Sequence, residues 1–121
     1  MKGPSPLENR MGAPEPLIQT AFEESLRRTS GYLLAAFLAE WCGFCQRFLP
    51  VFHGASTDQR AAFVTVDLSD FDSPLWDRFQ IEVVPTLLLF KGGQIVGRAD
   101  GVLGRGLTQG SILKLLSEIP G

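Results

Sequence analysis

Leu33-Leu34-Ala35-Ala36-Phe37-Leu38-Ala39-Glu40-Trp41-Cys42-Gly43-Phe44-Cys45 runs an unbroken apolar segment into two cysteines spaced two residues apart. An apolar run with no alternation suits a strand buried on both faces of a sheet, although a buried helix segment reads the same way. Beyond it, Cys45, Phe48, Leu49 and Phe52 fall on one side of a predicted helix from Cys42 to about Asp58, which Pro50 should kink. A strand ending near Glu40 and a helix opening at Cys42 set that sulfur on the unpaired N–H groups of the first turn. The positive end of the helix dipole favours thiolate over thiol there, and the thiolate is what attacks a disulfide. Cys45 comes less than one turn later, within reach of Cys42 but poorly placed to meet another protein. Gly43 keeps the approach to the sulfur open. Cys42 is therefore the attacking cysteine and Cys45 the resolving one.

Further strands are predicted over Ala61–Val66 and Thr86–Phe90, both apolar in the same way. Gly92-Gly93 reads as a hairpin turn between Leu87–Lys91 and Gln94–Ala99. Ser73-Pro74 starts a short helix carrying Leu75, Trp76 and Phe79. Ile112, Leu115, Leu116 and Ile119 repeat at helical spacing in a last amphipathic helix. Upstream, Thr20-Ala21-Phe22-Glu23 has the form of a capping box for a helix over about 20–29, with Leu17-Ile18-Gln19 as a short strand before it. Residues 1–16, with prolines at 4, 6, 14 and 16, read as a flexible tail, leaving 17–121 as the folded domain. The order α, β, α, β, α, β, β, α indicates an α/β domain with a mixed sheet and helices on both faces.

The composition fits one such domain. The chain has 121 residues, of which 45% are hydrophobic and 20% charged, a globular mixture. A net charge of −2 with no basic stripe gives no reason to expect nucleic acid. The longest apolar run, Tyr32 to Ala39, is too short to cross a bilayer, and the first residues lack a signal-peptide apolar core, so the expected location is the cytoplasm. Two cysteines so close together constrain little of an unfolded chain, which argues for chemistry over stapling. They make only half a zinc site, with no further Cys or His at ligand spacing, so no metal is expected. Dithiol exchange needs no bound cofactor.

Ala39-Glu40-Trp41-Cys42-Gly43-Phe44-Cys45 closely resembles the active-site segment A-E-W-C-G-P-C of the thioredoxin family, with Phe44 in place of Pro. Val83-Val84-Pro85-Thr86-Leu87-Leu88-Leu89-Phe90-Lys91-Gly92-Gly93 resembles the family's second signature. Pro50 falls where thioredoxins kink the active-site helix, and Asp67 matches the acid ending the next strand. The resemblance covers about residues 17–119. It implies the thioredoxin fold, with a central mixed sheet of four to five strands, and a thiol–disulfide oxidoreductase acting through Cys42 and Cys45. It further implies that Pro85 is a cis proline facing the cysteines, and that Gly101 completes a peptide-binding surface with Trp41, Gly43, Phe44 and Val84. The implied partners are protein disulfide substrates and a thioredoxin reductase or similar electron donor, with the chain a monomer.

Three departures bear on mechanism. The family's buried Asp, six residues before the first cysteine, is Ala36 here, and its partner Lys is Phe63. Losing both leaves no orphaned charge, but it removes a base near Cys45, so water or Glu40 must take the proton and resolution should slow. Phe44 frees an N–H at the helix terminus that Pro lacks. That predicts a reduction potential above about −270 mV and at or below about −180 mV, while an anion at Asp100 beside Cys42 would pull the other way. His53 reads as a surface residue and Trp76 as plain core. Phe22, Phe37, Phe48, Phe52 and Phe90 read as packing, Asp67 as a strand-end cap, and Trp41 as a flat apolar wall beside Cys42. Two functions of different class stay open: an oxidoreductase, or a peptide-binding module with little or no turnover. A glutathione-dependent, glutaredoxin-like role is weaker, because no glutathione-binding signature is present.

Overall fold

The computed structural model describes residues 16–120. All but Pro16 of the expected N-terminal tail, together with Gly121, lies outside the described residues. Eight elements follow the predicted order: α1 (Gln19–Arg28), β1 (Tyr32–Leu38), α2 (Gly43–Ala55), β2 (Ala62–Asp67), α3 (Leu75–Arg78), β3 (Thr86–Lys91), β4 (Gln94–Asp100) and α4 (Gln109–Ser117).

The strands form one mixed sheet in the order β2-β1-β3-β4. β1 runs parallel to β2 and antiparallel to β3, and β3 is antiparallel to β4. The β3–β4 hairpin closes through Gly92 and Gly93, whose φ of 59° and 79° lie in the left-handed region open to glycine. Because successive strand residues face opposite ways, the apolar run of β1 is divided between two cores. Leu34, Ala36 and Leu38 join Leu87 and Leu89 against Phe48, Leu49 and Phe52 of α2 and Ile112, Leu115 and Leu116 of α4. Leu33, Ala35 and Phe37 join Leu88 and Phe90 against Phe22 and Leu26 of α1 and Leu75 and Phe79 beside α3. Phe22 sits at the centre of the second core, with ring centroids 5.4 Å from Phe37, 5.9 Å from Phe79 and 5.7 Å from Phe90, all edge-on. Such pairs add about 0.5–1.5 kcal/mol each beyond area burial.

Several local expectations are corrected. The Thr20–Glu23 capping box does not form: Ile18 is the N-cap of α1 and makes no side-chain cap. The reason lies one residue upstream, where Leu17 N–H donates to Thr65 O and Leu17 O accepts from Asp67 N–H, both at 2.8 Å. With Leu17 tied to β2, the helix begins at Gln19 and Thr20 is already inside it. The short strand expected at 17–19 is accordingly a single bridge, Leu17 to Val66. A reciprocal capping box occurs instead at α4, between Thr108 and Ser111. α2 runs on through Pro50 and ends at Ala55, three residues short of expectation, where the Ser56 N–H and hydroxyl both bond to His53 O.

Candidate active site

Four loops meet at one end of the sheet, and the strand order ranks them. The loop after β2 stands at one side, then the turn from β1 into α2, then the segment entering β3, then the loop leaving β4. Trp41, Cys42, Gly43 and Phe44 come from the second, Val84 and Pro85 from the third, and Gly101 from the fourth. Topology thus assembles every site residue read from the sequence.

Cys42 is not the first helical residue but the N-cap of α2, and its sulfur accepts the N–H of Cys45 at 3.2 Å. A backbone donor aimed at sulfur favours negative charge on it. On its other side, the Cys42 thiol donates to Val84 O at 3.5 Å. The Val84–Pro85 peptide bond is cis, as the resemblance implied. Both cysteines are free thiols. Cys42 retains 8% exposure and Cys45 none, the asymmetry expected of an attacking and a resolving sulfur. Burial pushes the Cys45 thiol far above the ordinary range, and the adjoining Cys42 side chain adds to this. No acid or base side chain forms a hydrogen bond with Cys45 among the described residues. Ala36 is fully buried in the same cluster, and Phe63 packs against it with its ring 5.1 Å from Phe52. Apolar packing has therefore replaced the acid–base pair without leaving a buried charge.

The two glycines differ in what they permit. A side chain at Gly43 would meet nothing within 4 Å, so the approach there is open. A Cβ at Gly101 would lie 2.6 Å from Pro85 O, so only glycine lets the fourth loop close on the third. Thr86, fully buried, fixes the third loop from below by donating to Val83 O at 2.8 Å. Phe44 is half-buried, with the Arg47 guanidinium 4.7 Å from its ring centre. Gly106 (φ 69°) lies against it, where a Cβ would be 3.1 Å from the Phe44 ring.

Trp41 is 51% exposed, and its indole N–H donates to Ser69 O at 3.1 Å. Ser69 is a support that sequence reasoning missed. Its hydroxyl donates to Asp67 Oδ1 and accepts Glu40 N–H at 2.8 Å, and its own N–H reaches Asp67 Oδ1 at 2.8 Å. Asp67 is the strand-end cap expected, and through Ser69 it also anchors the residues before Cys42. Phe71 was missed as well. It is 73% exposed, and its ring stacks on Trp41 at 5.0 Å and 14°. The signal available was an aromatic residue isolated between Asp70 and Asp72, the kind of residue a turn does not need for its own stability.

Three outlying expectations are refined. The carboxylate of Asp100 is held by the Arg98 guanidinium, with Nε at 3.0 Å and 3.1 Å from its two oxygens, and so is a paired charge. Trp76 packs half-buried against the second core, as expected, and in addition uses its indole N–H on Asp70 O at 3.0 Å, which fixes the loop after β2. His53 is half-buried instead of lying flat on the surface. Its Nε2 is enclosed with no hydrogen-bond partner among the described residues, beside a pocket of about 170 Å³ lined by Phe52, Phe63 and Thr65, and burial lowers its pKa.

The family model for thioredoxin matches residues 14–113. Thioredoxin Y2, chloroplastic, of Arabidopsis thaliana is 34% identical over 85 residues, spanning 69% of this chain and 50% of that protein. Thioredoxin of Chlamydia trachomatis is 32% identical over 101 residues, spanning 83% and 92%. The chain thus spans about half the length of plant relatives such as the first, and most of the bacterial one. Among solved structures, a mutant thioredoxin from Halobacterium salinarum superposes with a TM-score of 0.71 at 26% identity, covering 99% of this chain and 97% of that one. The reduced thioredoxin pre-protein of Schistosoma mansoni, at 24% identity and a TM-score of 0.71, shares the fold.

Proposed function

Since this chain belongs to the thioredoxin family, we propose that it is a thiol–disulfide oxidoreductase that reduces disulfides in other proteins through Cys42 and Cys45. The observation that carries the reading is the polarity of the pair. One cysteine caps a helix with its sulfur and keeps 8% exposure, and the other is fully buried with its N–H on the first sulfur.

The reaction follows from that polarity. Cys42 thiolate attacks one sulfur of the substrate disulfide, forming a mixed disulfide and expelling the other substrate sulfur as thiolate. Cys45 then gives up its proton, its thiolate attacks Cys42 Sγ, and the second substrate sulfur leaves. Two electrons pass to the substrate, and the Cys42–Cys45 disulfide remains to be reduced by a thioredoxin reductase or similar donor. Half-buried Val84, held in place beside the buried Pro85, offers backbone to an extended substrate, and Trp41 and Phe44 flank the sulfur. The reading takes the chain as a monomer, because self-association over this surface would cover Cys42. A reducing compartment such as the cytoplasm fits the same direction of electron flow.

Insulin-disulfide reduction with dithiothreitol as donor tests the proposal. Turnover by the wild type should vanish in Cys42→Ser, and Cys45→Ser should stall as a mixed disulfide with substrate. Wild-type rates no greater than the uncatalysed background would sink the reading and leave a peptide-binding module on this fold.

A further inference from the structure

The sheet order sorts charge as well as loops. The loop after β2, at one side of Cys42, carries Asp70 and Asp72, both exposed and neither in an ion pair among the described residues. The loop leaving β4, at the other side, carries exposed Arg105. Phe71, between the two acids of the loop after β2, stacks on Trp41, the residue before Cys42. Hydrogen bonds fix the frame of this pair: Ser69 O holds the indole, Asp70 Oδ1 accepts Asp72 N–H at 2.8 Å, and Asp70 O accepts both Trp76 Nε1–H and Ser73 N–H. An exposed aromatic ring already held in place loses little freedom on binding, which is the property of an anchoring residue.

We propose that Phe71 and Trp41, rimmed by Asp70 and Asp72, select disulfide substrates that carry a large apolar side chain and a Lys or Arg beside the attacked cysteine. The apolar side chain lies on the ring pair, and the cation reaches the two exposed carboxylates. Adjacent strands are about 5 Å apart and an extended chain advances about 3.3 Å per residue, so the selected side chains lie within about three residues of the substrate sulfur. This inference rests on the oxidoreductase reading but concerns which substrates are preferred.

The test uses three peptides, Lys-Phe-Cys-Phe-Lys, Glu-Phe-Cys-Phe-Glu and Glu-Ser-Cys-Ser-Glu, each joined through its cysteine to thionitrobenzoate. Their symmetry removes chain direction as a variable. The reduced protein should react with the first about tenfold or more faster than with the third. Phe71→Ala should bring that ratio down at least about fivefold, with Phe71→Tyr restoring it. Asp70→Asn with Asp72→Asn should erase the preference for the first peptide over the second, as should added salt. Ratios unmoved by Phe71→Ala and by the double Asn variant would overturn the inference. If the wild type reacts with none of the peptides faster than Cys42→Ser, the oxidoreductase reading fails separately. Indole fluorescence of Cys42→Ser/Cys45→Ser then decides the surface. Tighter binding of the first peptide, lost in Phe71→Ala, supports the inference, and equal binding of all three overturns it.

Discussion

A mixed disulfide held on Cys42 should resolve at a rate that climbs about tenfold per pH unit, without levelling off, from pH 6 to at least pH 9. Only the Cys45 thiolate attacks, and below its pKa the thiolate fraction falls tenfold for each unit of pH. Burial is the largest cause of the upward displacement of that thiol, ahead of its hydrogen bond to Cys42. When Cys42 is tied to a substrate, the hydrogen bond and charge of its thiolate disappear, but the burial remains. Full enclosure of Cys45, with Ala36 and Phe63 at the positions of an acid–base pair, leaves it with no hydrogen-bonded acid or base among the described residues. The rise over three units should therefore be about 1,000-fold. Thionitrobenzoate loaded on Cys42 makes the step visible as its absorbance on release. Ala36→Asp/Phe63→Lys, which places an acid in the buried cluster, should speed release near pH 7. A wild-type profile that flattens below pH 8 would refute the reasoning, since some base would then be serving Cys45.

Other outcomes follow from the same geometry. Gly101→Ala should lower stability by about 1–3 kcal/mol, because its Cβ would lie 2.6 Å from Pro85 O. Gly43→Ala, which meets no neighbour, should raise it by about 0.4–1 kcal/mol, and denaturant unfolding of both variants checks the opposite signs. The reduced protein should lose stability above about pH 9, by up to about 1.4 kcal/mol per unit. The unfolded Cys45 thiol ionises there while the folded one keeps its proton, and Cys45→Ala should remove that slope. His53 has the opposite sense: its lowered pKa means the unfolded chain takes up the proton first as pH falls through about 6.5. Stability is therefore lost on that acid side, and His53→Phe should flatten the limb in urea titrations at pH 5 and 7. Phe44→Pro should make the reduction potential more negative by about 30 mV, equivalent to about 1.4 kcal/mol. Equilibration with glutathione checks this, and an unchanged potential would show that the Phe44 N–H contributes nothing.

Most of the fold was legible because its signals are strong and short-range. The β1 run is apolar on both faces because it divides two cores, and Gly92-Gly93 could only be a turn. The Thr20–Glu23 capping box misled because a helix start is decided by where the preceding residue is held, here Leu17 on β2, and a motif does not encode that. In the site, the cysteine asymmetry and the Gly101 constraint were readable from position and resemblance. Ser69 and Phe71 were not, because their roles depend on the loop after β2 lying beside Trp41. That is a consequence of strand order, with Ser69 and Trp41 28 residues apart. His53 was only partly legible for a related reason: its helix position gives a direction, but how far its ring sinks depends on Phe63 from the neighbouring strand.

The cluster that encloses Cys45 draws on Leu87 and Leu89 of β3 and on Ile112, Leu115 and Leu116 of α4. A ribosome adding about 5–20 residues per second makes Cys45 roughly 3–13 s before α4 exists. Through that interval Cys45 lacks the part of its surrounding core that α4 supplies. The full burial that sets it apart from Cys42 is thus completed late in biosynthesis, once α4 has joined the cluster.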